Sequence, residues 1–364
     1  MNDTPFVHRS LLALGVVAAA WMCLGPEEDP AVMRGRQLFD RAFAKAEGLG
    51  TPEMNADTCR GCHSDPVLGG AGALELNVTR FGRDNGGVGP FTDLPGGQGL
   101  SKLRPPLDPW REEAAAQADC FEQRQTPTLL GTGLIDGVFD AAILANEDPN
   151  DLNSDGVRGV ARRVTVNGVV EIGRFGWKAQ IPRLADFARD AMFFELGITT
   201  PDDGRGFAPA GDGDAIPDPE LSAQQTADVH AFMAALPAPQ RVGSTDPLVA
   251  LGQQVFGEVG CTKCHVPELQ GVNGSVPLFS DLLLHNVMPA GYRGMAEPNA
   301  GVGMFRTPPL WGIRDTAPYM HDGRAETLFA AIQAHDGEAV AVRAAFLARP
   351  AADQNALLLF LADL

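Results

Sequence analysis

Cys59-Arg60-Gly61-Cys62-His63 and Cys261-Thr262-Lys263-Cys264-His265 each place two thiols three positions apart, with an imidazole directly after the second. That spacing suits covalent attachment of a porphyrin. Each thiol adds to one vinyl group, and the adjacent histidine is delivered to the iron. Zinc knuckles and redox dithiols also use paired cysteines, but neither requires histidine straight after both pairs. With six Cys and seven His in 364 residues, composition alone yields about 0.002 copies of the pattern. Two copies predict two covalently bound haem c groups, anchored by Cys59, Cys62, Cys261 and Cys264, with His63 and His265 as proximal iron ligands.

The elements that must carry these motifs repeat along the chain. Residues 30–47 read as a helix with Leu38, Phe39, Ala42, Phe43 and Ala46 on one face, and the first motif follows. Asp246-Pro247 opens a second helix carrying Leu248, Leu251, Val255 and Phe256, which leads to Cys261. Gly35-Arg36-Gln37-Leu38-Phe39 and Gly252-Gln253-Gln254-Val255-Phe256 are corresponding pieces of an internal repeat. Each half closes on a helix, 221–236 in one and 351–364 in the other. Helix, haem motif, irregular wrap and closing helix describe a cytochrome c domain. The expectation is therefore a mainly α protein of two fused cytochrome c domains, residues 30–240 and 241–364, with Pro237-Ala238-Pro239-Gln240 as the boundary. The first carries a long loop-rich insertion from about Leu68 to Pro219, inside which Val164–Ile172 alternates around Asn167-Gly168 as a small hairpin.

Composition narrows the function classes. Gly (42) and Pro (28) are abundant while aromatics make up 7%, so much of the chain should wrap something other than its own side chains. The formal charge of −18, with no basic stripe, argues against nucleic acid and for a partner with a basic patch. At the N-terminus, His8-Arg9 precedes an apolar run from Leu11 to Ala20 and then polar Pro26-Glu27-Glu28-Asp29-Pro30. This reads as an export signal over residues 1–24, too short to span a bilayer. Because c-type haem is attached outside the cytoplasm, both signals point to the periplasm; an uncleaved anchor is the alternative.

Asp151-Leu152-Asn153-Ser154-Asp155-Gly156 places oxygen groups at alternate positions before a glycine, as calcium loops do. Position twelve of that frame is Arg162, where an EF-hand needs glutamate. Calcium on Asp151, Asn153 and Asp155 thus stands against a plain Asx-rich turn. Asp212-Gly213-Asp214 reads as solvated loop.

Beyond these features the chain resembles the bacterial di-haem cytochrome c peroxidase and MauG superfamily, and within it a di-haem oxidoreductase family long listed as being of unknown function. The resemblance is carried by Gly48-Leu49-Gly50 with Cys59–His63 and Gly69-Gly70, Gly131-Thr132-Gly133-Leu134, Asp148–Gly159, and Gly173-Arg174-Phe175-Gly176-Trp177-Lys178-Ala179. Towards the C-terminus it continues in Ser280-Asp281-Leu282-Leu283-Leu284-His285, Arg306-Thr307-Pro308-Pro309-Leu310-Trp311-Gly312 and Tyr319-Met320-His321-Asp322-Gly323-Arg324-Ala325. It implies an electron-transfer haem in the C-terminal half and a reactive one in the N-terminal half. Relatives include peroxidases, a quinone-cofactor maturation enzyme and rubber oxygenases, so the substrate does not follow from the resemblance.

Against that pattern, His335 is the expected sixth ligand of the second haem, where the peroxidases carry methionine; a surface histidine near a helix end is the bland reading. His321 is an alternative ligand or an orienting group, with Met288 and Met320 behind it, and His285 a partner for a propionate. No histidine or methionine is comparably placed for the first haem, which predicts an open iron site reacting with hydrogen peroxide. Relatives place a glutamine, a proline and a glutamate there. The matching region here is Gln123-Arg124-Gln125-Thr126-Pro127, then Asp136 and Asp140, which gives Gln123, Pro127, Asp136 and Asp140 as candidate catalytic groups. Trp110 and Trp177 are candidate electron relays between the haems, against core packing. The expected donor is a small redox protein, a cytochrome or a copper protein. A pure electron carrier and a di-haem oxygenase or substrate oxidase are the rival readings.

Overall fold

The computed structural model describes residues 29–50, 54–84, 90–92, 94 and 116–364. The export signal and Trp110 lie outside them. In chain order the elements are α1 Pro30–Asp40, β1 Val78–Gly82, β2 Cys120–Arg124, α2 Thr132–Asp136, α3 Asp140–Leu144, β3 Arg163–Val166, β4 Val169–Ile172, α4 Leu184–Leu196, α5 Ala223–Ala235 and α6 Pro247–Glu258. They continue with β5 Leu269–Gly271, β6 Gly274–Val276, β7 Leu284–Asn286, β8 Met304–Arg306, α7 Leu328–Ala334, α8 Val340–Leu347 and α9 Ala351–Asp363. The fold is helix-rich, and among the described residues its strands pair as four antiparallel two-stranded sheets. No helix among the described residues is long and apolar enough to cross a membrane.

Two helix crossings repeat in detail. Asp29 begins α1 by accepting from the Ala31 N–H at 2.8 Å, with Pro30 in the first turn where its missing N–H costs nothing. Asp246 does the same for α6 through Leu248 N–H at 2.9 Å, followed by Pro247. Gly35 then lets α1 cross α5, since a Cβ there would sit 1.8 Å from Asp228 O. Gly252 lets α6 cross α9, since its Cβ would sit 2.0 Å from Ala356 O. One turn on, Phe39 packs on Phe232 with ring centroids 5.1 Å apart, and Phe256 on Phe360 at 5.3 Å. Each buried phenylalanine contributes roughly 1.5–3 kcal/mol.

α1 is shorter than its periodicity predicts. The apolar face continues through Ala46, but Phe43 N–H donates to Asp57 O at 2.8 Å, so the chain leaves the helix at Arg41 to hold the segment that carries the first motif.

The cores do not divide at residue 240. One is built on Phe39, Leu129, Ile181, Leu184, Met192 and Phe232, and it also takes in Leu269, Val276, Leu278, Leu282, Leu283 and Trp311 from the C-terminal half. The other centres on Val255, Phe256, Phe346, Leu357 and Phe360. Isolated bridges Val138↔Gly271 and Val160↔Leu284 tie the insertion to the C-terminal half. β3 and β4 form the expected hairpin, with Asn167 at φ 51° and Gly168 at φ 79°, the left-handed pair that such a two-residue turn requires.

Candidate functional site

Both motifs begin on a short 3-10 turn. Thr58 caps the first by accepting from Arg60 N–H at 3.2 Å, and His63 N–H donates to Cys59 O at 3.0 Å. Gly260, at φ 95°, starts the second, and His265 N–H donates to Cys261 O at 2.9 Å. Burial pushes the Cys59 and Cys261 thiols up to about 12, so both are neutral at physiological pH.

Three imidazoles share one arrangement. His63 Nδ1 meets Gly70 O at 3.2 Å, His265 Nδ1 meets Phe279 O at 2.9 Å, and His335 Nδ1 meets Ala331 O at 2.7 Å. A carbonyl can only accept, so each Nδ1 carries the hydrogen and each Nε2 keeps its lone pair. Burial pushes His63 and His265 down to about 4 and lowers His335 as well, which keeps all three rings neutral. A neutral imidazole whose far nitrogen is tied to a carbonyl is the form that ligates a metal.

Two cavities lie against the motifs. The first, about 440 Å³, is lined by Cys59, Cys62 and His63 together with Phe39, Met192 and Met233. The second, about 270 Å³, is lined by Cys261, Cys264 and His265, with His335 and Ile332 from the α7 end and Leu357 and Leu361 from α9. Gln125, Thr126, Pro127, Leu129, Gly176 and Trp177 line both. Trp177 Nε1–H donates to Gln125 O at 2.8 Å, which fixes the indole in that shared wall. Arg306, half-buried at the second cavity and pushed down to about 10 by desolvation, bonds the carbonyls of Gly176 and Thr307 through its side chain. Among the described residues no carboxylate pairs with it, so it can receive the acidic arm of a bound group.

Residues 116–364 match the family described as "Di-haem oxidoreductase, putative peroxidase". The chain belongs to that family. Its described residues fit two haems, since each cavity joins a thiol pair, a neutral imidazole and apolar walls, and the second adds an unpaired cation.

Solved structures similar to this di-haem oxidoreductase include a Kuenenia stuttgartiensis hydrazine synthase pressurized with xenon, at 14% identity over 98% of this chain and 100% of that one, TM-score 0.44. A MauG-like protein associated with microbial copper homeostasis is 18% identical over 93% and 89% of the two chains, TM-score 0.43. A variant of the diheme peroxidase BthA from Burkholderia thailandensis is 15% identical over 92% and 86%, TM-score 0.43. No curated protein matches the chain.

Of the candidate catalytic residues in this oxidoreductase, Pro127 and Trp177 line the cavities and three others do not. Gln123 is exposed on β2, opposite Thr79; two residues on, Gln125 is buried and reaches both cavities. Asp136 Oδ1 accepts from Leu184 N–H at 2.9 Å and so starts α4. Asp140 pairs with Arg174 and lies half exposed. Both aspartates border a separate surface depression, away from the two cavities that bear the motifs. The acidic groups that line the first cavity are Asp190 and Glu195 of α4 and Glu297, and sequence spacing pointed to none of them.

The proposed calcium loop spends its oxygens on its own backbone. Asp151 Oδ1 accepts from Asp155 and Gly156 N–H, Asn153 Oδ1 from Asp155 N–H, and Asp155 Oδ1 from Val157 N–H. These are the bonds of an Asx-rich turn, and Lys263 Nζ of the second motif docks on the loop through Asp155 O at 2.8 Å.

Two further histidines are occupied elsewhere. His321 Nε2 meets the Tyr292 hydroxyl at 2.8 Å, so its ring serves that phenol and not an iron. His285 is clamped between Asp281 Oδ2 at 2.8 Å and Glu338 Oε2 at 3.3 Å, which leaves neither ring nitrogen for a propionate.

Proposed function

We propose that this chain is an exported, peroxidase-like di-haem oxidoreductase whose N-terminal site reacts with hydrogen peroxide and whose C-terminal site receives electrons from a small redox protein. The observation that carries this reading is the single wall, Gln125, Thr126, Pro127 and Leu129 with Trp177, shared by two cavities that each bear a Cys-x-x-Cys-His motif. We read residues 30–240 and 241–364 as two cytochrome c units joined through a common core. Cys59 and Cys62 would hold one haem covalently and Cys261 and Cys264 the other. His63 and His265 would bind the irons, and His335 would complete the second site. Haem, once bound, supplies the redox chemistry; the chain controls ligation, proton delivery and the path between sites.

His63 is the only histidine lining the first cavity among the described residues, which leaves room for a small oxidant. Peroxide cleavage needs a carboxyl that carries a proton from one oxygen to the next. Glu297 is held ionised by arginines, so this role falls to α4, with Glu195 the better candidate because Asn55 Nδ2 fixes its Oε2 at 2.8 Å. Trp177, which lines both cavities, would pass electrons between the sites. Overall acidity suits a donor with a basic face.

A second reading rests on Met192, which also lines the first cavity. If its sulfur binds iron, both sites are saturated and the protein is an electron carrier. Electron paramagnetic resonance of the oxidised protein separates the two. One high-spin and one low-spin ferric centre, with peroxide consumption, supports the peroxidase. Two low-spin centres that persist after half-reduction, with no peroxide turnover, would overturn it.

A further inference from the structure

Buried His321 and half-buried Tyr292 form a pair that neither ligation nor packing accounts for. The Tyr292 hydroxyl lies 2.8 Å from His321 Nε2. His321 is 3% exposed, stacks on Phe305 with centroids 3.8 Å apart, and stands edge-on to Trp177 at 6.5 Å. Tyr292 is only partly covered, so the series Trp177, His321, Tyr292 leads from the wall shared by the two cavities towards solvent.

The two oxidisable rings differ in where a proton can go. The Trp177 N–H donates to a carbonyl oxygen, which is no base. An indole oxidised there keeps its proton and stays cationic. The Tyr292 O–H faces an imidazole nitrogen, and Arg324, which can only donate, lies over the same phenol with its guanidinium carbon 5.4 Å from the ring centroid. Arg324 has no lone pair to accept with, so the phenolic hydrogen is directed to His321. Burial keeps His321 neutral at ordinary pH, lowered to about 4, so its Nε2 is free to accept.

We propose that Tyr292 is a redox-active residue whose one-electron oxidation is coupled to proton transfer to His321 Nε2. In the step, one electron passes from Tyr292 to oxidised Trp177, the phenolic O–H bond breaks, and the proton forms an N–H bond on His321. The products are a neutral tyrosyl radical, restored Trp177 and a protonated imidazole. Electron return from the donor protein reverses the proton shift. The ultimate oxidant is hydrogen peroxide acting through the haems, so the step rests on the proposed function; the pair itself does not, and it is open to any strong one-electron oxidant.

The chain has two tyrosines, which makes assignment direct. Holoprotein grown with ring-deuterated tyrosine is frozen after mixing with peroxide and, in a second arm, after photo-oxidation by an excited ruthenium complex with an external quencher. Paramagnetic resonance should show a radical that narrows on deuteration, is lost in Tyr292→Phe, persists in Tyr319→Phe, and forms more slowly in heavy water. His321→Gln, which keeps a hydrogen-bond acceptor but removes the base, should lose most of the signal. Absence of peroxide consumption would sink the peroxidase reading while the photochemical arm still decides the pair. A tyrosyl signal that survives in Tyr292→Phe, or a radical unaffected by tyrosine deuteration in both arms, overturns the inference. If Tyr292→Phe fails to fold, site-specific fluorotyrosine at 292 must split the signal.

Discussion

Replacing Glu297 by glutamine removes one negative charge from a buried cluster without changing its shape. Glu297 is 8% exposed. Its Oε1 lies 3.1 Å from Arg80 and 3.0 Å from Arg124, and its Oε2 lies 3.6 Å from Arg162. Burial alone would drive this carboxyl up; Arg124, Arg80, Lys178 and Arg162 together overcome it and bring the group down to about 2 from an ordinary 4.5. A shift of about 2.5 units at 1.36 kcal/mol each is roughly 3 kcal/mol of folding stability. That agrees with the roughly 3–5 kcal/mol typical of breaking a buried ion pair from one side.

The pH dependence follows from the direction of the shift. A depressed carboxyl stabilises the fold fully above its unfolded value and loses that contribution as pH falls through the folded value. Glu297→Gln should therefore lose about 3 kcal/mol at pH 7, and its deficit against the parent should shrink between pH 4.5 and about 2. The assay is reversible urea unfolding of holoprotein by far-ultraviolet circular dichroism at pH 7 and at several acid values, with an unchanged denaturant slope. Asp40→Asn, which breaks the exposed Arg60 pair, is the control and should cost under about 0.5 kcal/mol. A Glu297→Gln deficit no larger than that control, or one that grows as pH falls, refutes the reasoning.

Further substitutions test other parts of the structure. His335→Ala should convert the low-spin signal of the C-terminal site to high-spin, and added imidazole should restore it; an unchanged spectrum removes His335 as a ligand. Asp136→Asn and Asp140→Asn should keep peroxide turnover, with Asp136→Ala costing about 1 kcal/mol through loss of the α4 cap. Glu195→Gln should lower turnover by about 10²-fold or more with the haem spectra intact. Gly252→Ala forces a Cβ to within 2.0 Å of Ala356 O and should destabilise holoprotein by about 1–3 kcal/mol or more, measured by thermal unfolding, while Gly257→Ala, with open space around it, should not.

Chemistry that needs contiguous residues was readable from the chain. The Cys-x-x-Cys-His motifs, the Asp-Pro helix starts at 29–30 and 246–247, and the Asn167-Gly168 turn all depend on neighbours in sequence. The site walls do not. Gln123 and Gln125 are equally polar; β2 alternates from buried Cys120 through exposed Gln123 to buried Arg124, and the chain leaves the strand before Gln125. In a pleat residues two apart share a face, so Gln125 differs from Gln123 only because the strand ends at Arg124, and that end is set by pairing with β1 far away in sequence. Glu297 lies more than a hundred residues from Arg124, and the Tyr292–His321 pair more than a hundred from Trp177, so no local pattern marks either.

The internal repeat resolves one ambiguity that motif spacing leaves open. Gly35 packs on Asp228 and Phe232 as Gly252 packs on Ala356 and Phe360, so α5 and α9 superimpose in register with 228 matching 356. Met233 then corresponds to Leu361, and both are buried and line their cavities. Leucine cannot ligate iron, so this position is built for packing and Met233 is read as core. Met192 has no such counterpart, because α4 belongs to the insertion that only the first half carries. The open or closed state of the N-terminal site thus turns on one side chain. Met192→Leu, which keeps volume and removes the sulfur, should leave the spin state and peroxide turnover unchanged in a peroxidase, and should turn a low-spin centre high-spin in an electron carrier.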